Sequence, residues 1–335
     1  MKILFIYQEL GTFVQKDLDI LCSAHEVCSV QFTGRHGMIR NSISDLWRLW
    51  QGALWCDLTF SWFGKFHAFF AVLLSRALDK KAVVVAGGDD VAYEPEIDYG
   101  MFAYWWKKWC PLFAFRYADL ILSVSKFNQR ETIENAKAEP AKISLLYHGF
   151  DAQRWQSVDG VEKENLVLTV GGVTGETFRK KGLDLFVQSA AYLPNALFAL
   201  VGPWQGGAIE QLKAIAPPNV TFTGGVYGED LLRMYSRAKV YVQVSRHESF
   251  GCAVAEAMLC ECVPLVTRRA ALPEVVGDCG FYVDELTSEA VAERIKQALQ
   301  SGLGPEARQR IQSLFPLERR REQLLAAIAE VGVSS

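Results

Sequence analysis

The chain lacks the short motifs that mark several large enzyme classes. No G-x-G-x-x-G follows its first apolar stretch, where only Gly11 is available, so a nicotinamide-binding domain at the N-terminus is disfavoured. The phosphate-binding motif G-x-x-x-x-G-K-[ST] is absent, which argues against a P-loop nucleotidase. The cysteines contain no C-x-x-C pair, and Cys260 and Cys262 have no histidine or second pair at the spacing of a zinc site, so reduced thiols are expected.

Long apolar runs and an excess of positive charge are missing as well. No run reaches the roughly 20 apolar residues of a membrane span, and the densest one, residues 66–74, stops at Arg76. The N-terminal MKILFIYQELG has too few apolar residues for a signal peptide, and we expect a buried strand there. The formal charge of −3 provides no basic field for nucleic acid. These features favour a cytoplasmic protein, with a peripheral position at the inner membrane face as an additional option.

The chain does contain enough apolar material for two globular domains. Its 335 residues are 50% hydrophobic and 22% charged, the profile of a folded protein with two sizeable cores. Residues 152–164 are polar and show no periodic pattern, so we interpret them as the linker.

Strands and helices alternate through both halves of the chain. Apolar runs predict strands at 2–7, 26–32, 57–63, 81–86, 120–124, 143–147, 166–170, 196–201, 220–223, 240–244 and 263–267. Helical spacing predicts helices at 14–24, 43–54, 66–78, 101–117, 126–135, 183–193, 209–215, 229–238, 288–300 and 317–331. This alternation is typical of two parallel, doubly wound α/β domains, whose ligands bind beyond the carboxyl ends of the strands. A cleft between two such domains is a favoured ligand site.

The stretch 244–283 has the arrangement of an anion site. A strand leads into Ser249-Phe250-Gly251, a helix follows, and the two acids Glu248 and Glu256 flank the helix start. Free backbone N–H groups and the positive end of the helix dipole favour an anion at such a place. The second acid lies about two turns along and is suited to a hydroxyl-bearing part of the same ligand.

Two further glycine-rich segments follow predicted strands. Residues 171–182, GGVTGETFRKKG, place Arg179, Lys180 and Lys181 where they can neutralise a diphosphate, although a solvated basic loop is an equal interpretation. Asp89 and Asp90 follow two glycines after the fourth strand and suit the wall of a substrate site, or an ordinary turn.

Seven of the nine tryptophans fall between Trp47 and Trp109, several of them beside Lys or Arg. Rings next to cations suit a membrane interface or a sugar-stacking surface. Partly buried helix packing is the simpler explanation, and we favour it from the sequence.

Six segments, in their order and spacing, resemble the retaining GT-B glycosyltransferases, specifically family 4 (glycosyl transferases group 1). They cover most of the chain and are strongest over 165–284: SVSKFNQRETI, ISLLYHGFDAQRW, LVLTVGGVTGETFRKKGLDLFVQSAAYLP, LFALVGP, VTFTGGV and LLRMYSRAKVYVQVSRHESFGCAVAEAMLCECVPLVTRRAALPEVVGDCGFYV. The resemblance implies an acceptor-binding Rossmann-like domain at 1–151, to which a helix at about 317–331 returns. It implies a nucleotide-sugar donor domain at 165–315.

Residue roles also follow from the resemblance. It implies that Glu248 contacts hydroxyls of the transferred sugar, and that Glu256 holds the ribose hydroxyls of a UDP- or GDP-linked donor. The residues at the helix start would bind the sugar and phosphates, chiefly through backbone N–H groups: Ser249, Phe250, Gly251 and Cys252. Lys181 would hold the diphosphate leaving group, as a metal does elsewhere, so no metal and no cofactor beyond the co-substrate is implied. Front-face attack, with the departing phosphate taking the proton, would retain the anomeric configuration without a protein nucleophile.

The chain departs from the family in three places. Gly172 stands where the family often has an arginine, so Arg179 or Lys180 would supply any second cation. The family histidine after the fourth strand is missing, and Asp89 or Asp90 would take its place. The N-terminal glycine loop is reduced to Gly11 and its neighbour.

The expected function is therefore transfer of a sugar to a glycan, a lipid-linked acceptor or a small molecule. Two alternatives remain open at this point. One is a GT-B sugar-nucleotide epimerase, and the other is a nucleotide-sugar-binding protein with impaired catalysis.

Overall fold

The computed structural model describes residues 1–33 and 39–333, which form two compact units. One unit comprises residues 1–148 together with 318–335, and the other comprises residues 149–317. Each unit is built on a parallel six-stranded sheet with helices on both faces.

The strands of the first unit are short apolar runs buried in its core. They are β1 (Lys2–Tyr7), β2 (Glu26–Gln31), β3 (Leu58–Trp62), β4 (Lys81–Ala86), β5 (Leu120–Ser123) and β6 (Ile143–Leu145), in the spatial order β2-β1-β3-β4-β5-β6. The helices between them are α1 (Thr12–Cys22), α2 (Ile39–Trp55), α3 (Phe66–Ala77), α4 (Trp109–Tyr117) and α5 (Lys126–Glu134). The strand order changes direction between β1 and β3, which makes their carboxyl ends the switch point of this sheet.

The second unit repeats the pattern with six parallel strands in the order β12-β11-β10-β7-β8-β9. These are β7 (Glu164–Val170), β8 (Leu197–Val201), β9 (Val220–Gly224), β10 (Ala238–Gln243), β11 (Val263–Thr267) and β12 (Phe281–Val283). Its helices are α6 (Gly175–Lys180), α7 (Leu183–Ser189), α8 (Ala208–Ile215), α9 (Gly228–Arg237), α10 (Cys252–Leu259), α11 (Leu272–Val276), α12 (Ser288–Gln300) and α13 (Gly304–Leu314). The switch point of this sheet lies between β7 and β10.

The last helix, α14 (Leu317–Val333), runs on into the N-terminal unit, where Arg320 anchors it. The Arg320 guanidinium donates to both carboxylate oxygens of Asp17 on α1 at 2.7 Å, and to the carbonyls of Leu146 and Tyr147 at 3.0 and 2.7 Å. Both charged side chains are almost fully buried. A buried pair of this kind holds its geometry because each charge would be strongly unfavourable without the other.

The predicted helix over 101–117 is wrong in its first half. The chain forms a 3₁₀ turn at Met101–Ala103 and further turns, and α4 starts only at Trp109. Pro111 explains the late start, because a proline has no N–H to donate and is tolerated only in the first turn of a helix.

Five other elements differ from the sequence predictions. The basic segment expected as a loop contains the short helix α6. The helix expected at 183–193 is α7 followed by a 3₁₀ turn at Ala190–Tyr192. The elements α11, β12 and α13 were not predicted, and two of them are only five and three residues long. None of the helices in the described part of the chain is long and apolar enough to cross a membrane.

Candidate functional site

The glycine-rich and acidic segments meet at the switch point of the C-terminal unit. Gly171 and Gly172 directly follow β7, and residues 244–251 directly follow β10, the strand next to it. Parallel strands end at the same edge of a sheet, so both loops leave from one place. Residues more than seventy positions apart in sequence are thereby brought together.

The short helix α6 positions the three cations. Its start is fixed by a capping box, in which the Thr174 side chain accepts from Thr177 N and the Thr177 side chain accepts from Thr174 N. Thr177 Oγ1 also donates to Gly172 O at 2.6 Å, which ties the helix to the end of β7. Arg179 is exposed on α6, whereas Lys181, just after the helix, is half-buried.

Lys181 lies directly over Gly171. A Cβ built on Gly171 would be 3.0 Å from both the Cδ and the Nζ of Lys181. The missing side chain of this glycine therefore makes room for the ammonium group at the end of β7. Gly172 is different, because a Cβ there would meet only Pro203 O, at an ordinary 3.6 Å.

The turn after α6 is bound to the loop after β10. Arg246 N donates to Lys180 O at 2.7 Å. Gly182 has the left-handed φ of 60° and packs so closely that a Cβ would lie 2.7 Å from Val244 O. These contacts hold the basic and the acidic segments in one fixed arrangement.

Glu248 is oriented by residues of β10 itself. Its Oε2 accepts from Gln243 Nε2 at 2.6 Å, and Gln243 Oε1 in turn accepts from Tyr241 OH at 3.2 Å. The Glu248 carbonyl accepts from Ala271 N at 3.1 Å. The half-buried carboxylate is thus held at the strand end by a short relay of hydrogen bonds.

The start of α10 has the backbone geometry of an anion site. Gly251 precedes the helix with a φ of 104°, a conformation that residues with a side chain rarely adopt, and a Cβ there would lie 3.1 Å from Leu272. Phe250 is buried, with its ring centroid 5.9 Å from that of Phe150 and 5.3 Å from that of Phe315. Its ring belongs to the core, so the side chain offers no contact to a ligand. Ser249 and Cys252 on either side are half-buried.

Glu256 lies on the same helix, one turn beyond Cys252. Tyr235 OH donates to Glu256 Oε2 at a long 3.5 Å. Burial, with the charge of Glu256 adding to it, holds the pKa of Tyr235 well above its usual range, so the phenol stays a donor. The carboxylate is half-buried and remains partly accessible.

Asp89 and Asp90 in the N-terminal unit have different surroundings. The buried Asp90 carboxylate accepts from the backbone N–H groups of Gly64, Gly87 and Gly88, at 2.7, 3.1 and 2.7 Å. Burial, and after it the charge of Asp89, raises the pKa of Asp90 to about 6. Asp89 is partly exposed and pairs with Lys65 Nζ at 2.6 Å. Asp90 therefore holds the backbone together, and Asp89 is the acid that can meet a ligand.

Gly11 follows β1 and precedes α1, at the switch point of the N-terminal sheet. Its φ of −71° is available to any residue, and a Cβ would approach only the Phe13 ring, at 3.8 Å. The position is accessible without requiring a glycine.

The sequence did not point to Gln243, Tyr241 or Tyr235, and it indicated Gly171 only as part of the glycine-rich segment 171–182. A signal was present for two of them, since Tyr241 and Gln243 are polar groups two positions apart on one face of an otherwise apolar strand. Within the described residues, no three His, Cys, Asp or Glu side chains group closely enough to hold a metal ion.

Comparison with known proteins confirms the resemblance to glycosyltransferases. Residues 152–313 match the family described as "Glycosyl transferases group 1". O-antigen chain mannosyltransferase B of Escherichia coli is 37% identical over 81 residues, which are 24% of this chain and 21% of that protein. Alpha-galactosylglucosyldiacylglycerol synthase of Streptococcus pneumoniae is 30% identical over 175 residues, 47% of this chain and 45% of that protein. The chain thus spans less than half the length of either relative.

The fold is shared with solved structures over nearly the whole chain. The crystal structure of HepE of Anabaena in complex with UDP superimposes with a TM-score of 0.82, covering 98% of this chain and 100% of that one at 17% identity. The same protein in complex with UDP-glucose gives a TM-score of 0.81. The predicted GT-B fold, two doubly wound Rossmann-like domains, is therefore confirmed.

Proposed function

We propose that this chain, whose residues 152–313 match the glycosyl transferases group 1 family, transfers a sugar from a UDP- or GDP-sugar to an acceptor with retention of configuration. One observation carries the proposal: the Lys181 turn and the Glu248 loop are joined at the carboxyl ends of β7 and β10. A cation, the backbone N–H groups of a helix start and an oriented acid in one place suit a diphosphate linked to a hydroxyl-rich ring.

Each group in the C-terminal unit receives one part of the donor. Lys181 stabilises the charge that develops on the diphosphate as it leaves, with Arg179 on the exposed side of α6 as a second cation. The N–H groups of Gly251 and Cys252, at the start of α10, bind the phosphates and the adjoining sugar. Glu248 accepts hydrogen bonds from sugar hydroxyls, and Glu256 accepts them from the ribose.

Protein cations and N–H dipoles supply the electrostatic stabilisation in this scheme, so the reaction needs neither a metal ion nor an organic cofactor. The acceptor hydroxyl attacks from the face that the diphosphate leaves, and a departing phosphate oxygen takes its proton. The N-terminal unit binds the acceptor, with Asp89 as the acid nearest to its hydroxyl groups.

Complexes of HepE with UDP and UDP-glucose support a nucleotide-sugar donor. The names of the mannosyltransferase and the diacylglycerol synthase support a glycan or lipid-linked acceptor.

The experiment that tests the proposal is a thermal-shift screen of UDP, GDP and their hexose conjugates, followed by transfer assays with the best donor. A nucleotide sugar that binds only the folded state raises the melting temperature. Transfer of radiolabel to a glycan or lipid acceptor, with the α- or β-linkage of the donor kept in the product, is the expected result. Turnover of the nucleotide sugar without any acceptor would instead indicate an epimerase, and binding without turnover on a broad acceptor panel would indicate a binding protein.

A further inference from the structure

The carboxyl end of β3 carries a strained aromatic residue. Phe63 follows this strand directly and has a φ of 68°, in the left-handed region. Bulky side chains are rarely found there, because the conformation is unfavourable and persists only where the surrounding structure imposes it. Among the six non-glycine residues with a positive φ in the described part of the chain, Phe63 is the only aromatic one. Strain of this kind clusters at functional sites.

The neighbouring backbone imposes the conformation on Phe63. Its N–H donates to Val85 O of β4 at 3.0 Å, and the next N–H, that of Gly64, donates to the buried Asp90 carboxylate at 2.7 Å. A Cβ built on Gly87, at the end of β4, would overlap the Phe63 ring. The glycine at position 87 therefore leaves room for the ring beside the end of β4.

Two charged groups lie beside the Phe63 ring. Lys65 Nζ is 4.9 Å from the ring centroid and 2.6 Å from Asp89 Oδ2. The lysine and aspartate side chains are 26% and 34% exposed, and the ring is partly exposed as well. An ammonium group has three N–H donors and a carboxylate has several acceptor positions, so both groups keep capacity for a ligand.

These groups lie at the switch point of the N-terminal sheet. Strand β3 lies between β1 and β4, so Phe63 is flanked by the ends of both neighbours. The Phe13 ring, on the helix that follows β1, is also partly exposed and has its centroid 6.4 Å from that of Phe63. Ligands of doubly wound sheets bind at this place, outside the carboxyl ends of the strands.

We propose that Phe63, Lys65 and Asp89 form a subsite for a neutral sugar ring of the acceptor. A pyranose has an apolar C–H face and a rim of hydroxyl groups, which match an aromatic ring with a donor and an acceptor beside it. The Phe63 ring packs against the C–H face, Lys65 donates to one hydroxyl, and Asp89 accepts from another. That this sugar is the acceptor rests on the proposed glycosyl transfer, whereas the binding of a sugar ring does not depend on it.

The charges of the subsite favour a neutral sugar over an acidic sugar or a sugar phosphate. The Lys65 ammonium group is already paired with Asp89 at 2.6 Å. An anionic group on the ligand would meet the Asp89 carboxylate, and a contact between like charges is unfavourable. The hydroxyl groups of a neutral sugar use the donor and the acceptor together.

The exposed tryptophans of the same unit are a different feature. The interpretation of them as buried helix packing is wrong for five, which are 40–70% exposed: Trp47, Trp50, Trp105, Trp106 and Trp109. None of these five has a positive φ. Single exposed apolar side chains are normal on a protein surface, so exposure alone does not indicate a ligand.

Saturation-transfer difference NMR on the whole chain tests the subsite. The probes are the methyl glycosides of glucose, mannose and galactose, with methyl glucuronide as the acidic comparison. We expect saturation of the protons on one face of a neutral glycoside and weaker binding of the glucuronide. Phe63→Asn, a residue that tolerates the left-handed backbone, should weaken binding about tenfold because the ring is lost. Phe63→Tyr keeps the ring and should bind as the parent does.

Lys65→Met tests the donor of the subsite. It keeps an apolar side chain beside the ring and removes the ammonium group, so binding should weaken about tenfold. Lys107→Met is the matched control, because Lys107 also lies over an exposed-edge ring of this unit, with its Nζ 3.7 Å from the centroid of Tyr104. It should leave glycoside binding unchanged. All these variants should bind UDP as the parent does, since the proposed diphosphate and ribose groups lie in the C-terminal unit.

The outcomes separate the subsite from the proposed function. The subsite is overturned if no neutral glycoside is saturated, if the glucuronide binds better, or if folded Phe63→Asn and Lys65→Met bind like the parent. It is also overturned if Lys107→Met weakens binding as much as Lys65→Met does. A parent that binds neutral glycosides but transfers no sugar overturns only the proposed function. In a parent that transfers, both subsite variants should raise the KM for the acceptor about tenfold, and an unchanged KM overturns only the subsite.

Discussion

The Nζ of Lys181 lies 3.0 Å from the place that a Cβ on Gly171 would occupy. A side chain at position 171 would require the end of the lysine to move by a few tenths of an ångström, so the glycine lets the ammonium group lie close to the end of β7. This steric relationship makes Gly171 a positioning residue for the proposed diphosphate site. Gly172 beside it has no such contact with the lysine.

We expect Gly171→Ala to weaken the binding of UDP or GDP, because the new methyl group pushes the ammonium group away from the strand end. Lys181→Ala should weaken it more, by about 10- to 150-fold, which corresponds to the loss of a charge-assisted hydrogen bond. Isothermal titration calorimetry measures both affinities.

Gly172→Ala is the matched control for this prediction, since its Cβ meets only Pro203 O at 3.6 Å. It should bind nucleotide as the parent does. If all three variants bind nucleotide with equal affinity and are folded by circular dichroism, Lys181 does not bind the diphosphate.

The proposed ribose contact of Glu256 predicts a loss of discrimination between nucleotides. The parent should bind UDP more tightly than 2′-deoxy-UDP, whereas Glu256→Ala should bind both with similar, lower affinity, about tenfold below the parent for UDP. Competition binding measures the ratio of the affinities for UDP and 2′-deoxy-UDP in the parent and in the variant.

Tyr235→Phe serves as the comparison, because it removes only the 3.5 Å hydrogen bond to Glu256 and keeps the ring contact with Trp155 at 5.7 Å. Tyr235→Phe should weaken the binding of UDP threefold or less, because a weak hydrogen bond contributes only about 0.5 kcal/mol. A Glu256→Ala variant that still prefers UDP over the deoxy analogue would contradict the ribose role.

The strands could be predicted closely because a buried parallel strand is a continuous apolar run. The predicted and observed bounds agree at Lys2–Tyr7, Lys81–Ala86 and Val263–Thr267. Phe281–Val283 was missed because three residues cannot establish a period. The start of α4 was predicted too early because the apolar residues from 101 onward fit helical spacing. Pro111 restricts where the helix can begin, and α4 starts only at Trp109.

The positions of candidate-site residues could be predicted where a charged residue lies in the segment that follows a strand, as for Glu248 and the lysines. The contacts that support the site could not, because they join residues that are adjacent only after folding. Gly171 and Lys181 meet through the turn of α6, which was expected as a loop. The distinct surroundings of Asp89 and Asp90 likewise depend on Gly64 and Lys65, more than twenty positions away.

The hydrogen bond from Gln243 to Glu248 predicts an effect on turnover without an effect on nucleotide binding. Gln243→Leu replaces the amide by an apolar side chain of similar size in the buried strand and removes the 2.6 Å donor of the carboxylate. We expect kcat to fall at least tenfold, with an unchanged Kd for UDP, since UDP lacks the transferred sugar whose hydroxyls Glu248 is proposed to bind. Steady-state kinetics and calorimetry together measure this split.

Gln243→Glu is the complementary variant, because it keeps the size of the side chain and sets a second carboxylate against Glu248. Its activity should recover at lower pH as the pair takes up a proton. A parent-like kcat for Gln243→Leu would show that the relay does not orient the acid.

The raised pKa of Asp90, about 6 against 3.8 for the ordinary side chain, predicts a pH-dependent contribution to stability. The folded state binds this proton more tightly than the unfolded chain does. The stabilising contribution is therefore complete below about pH 4 and is lost as pH rises through 6, with a span on the order of 3 kcal/mol. The advantage of the parent over Asp90→Asn in the free energy of unfolding should shrink across this window.

Urea unfolding of both proteins at several pH values between about 4 and 7 measures this difference. Asp89→Asn is the control that keeps the buried acid, and it should shift the window to lower pH because the repulsion from Asp89 contributes to the raised pKa. A difference between parent and Asp90→Asn that is constant with pH would contradict the assignment.

The buried pair of Asp17 and Arg320 predicts a large loss of stability when one partner is removed. Each guanidinium contact to the carboxylate is 2.7 Å long, and the two side chains are 0% and 1% exposed. Asp17→Asn or Arg320→Met should lower the free energy of unfolding by about 3–5 kcal/mol, because the remaining charge stays buried without its counter-ion. The double variant Asp17→Leu/Arg320→Met should lose less free energy of unfolding than the sum of the two single losses, since neither charge remains.

Arg321→Met is the control, because Arg321 is exposed and donates to Ser23 Oγ at 3.1 Å. It should change the free energy of unfolding by less than about 1 kcal/mol. Additive losses in the double variant, measured by urea unfolding, would show that the pair does not act as a unit in holding α14 to α1.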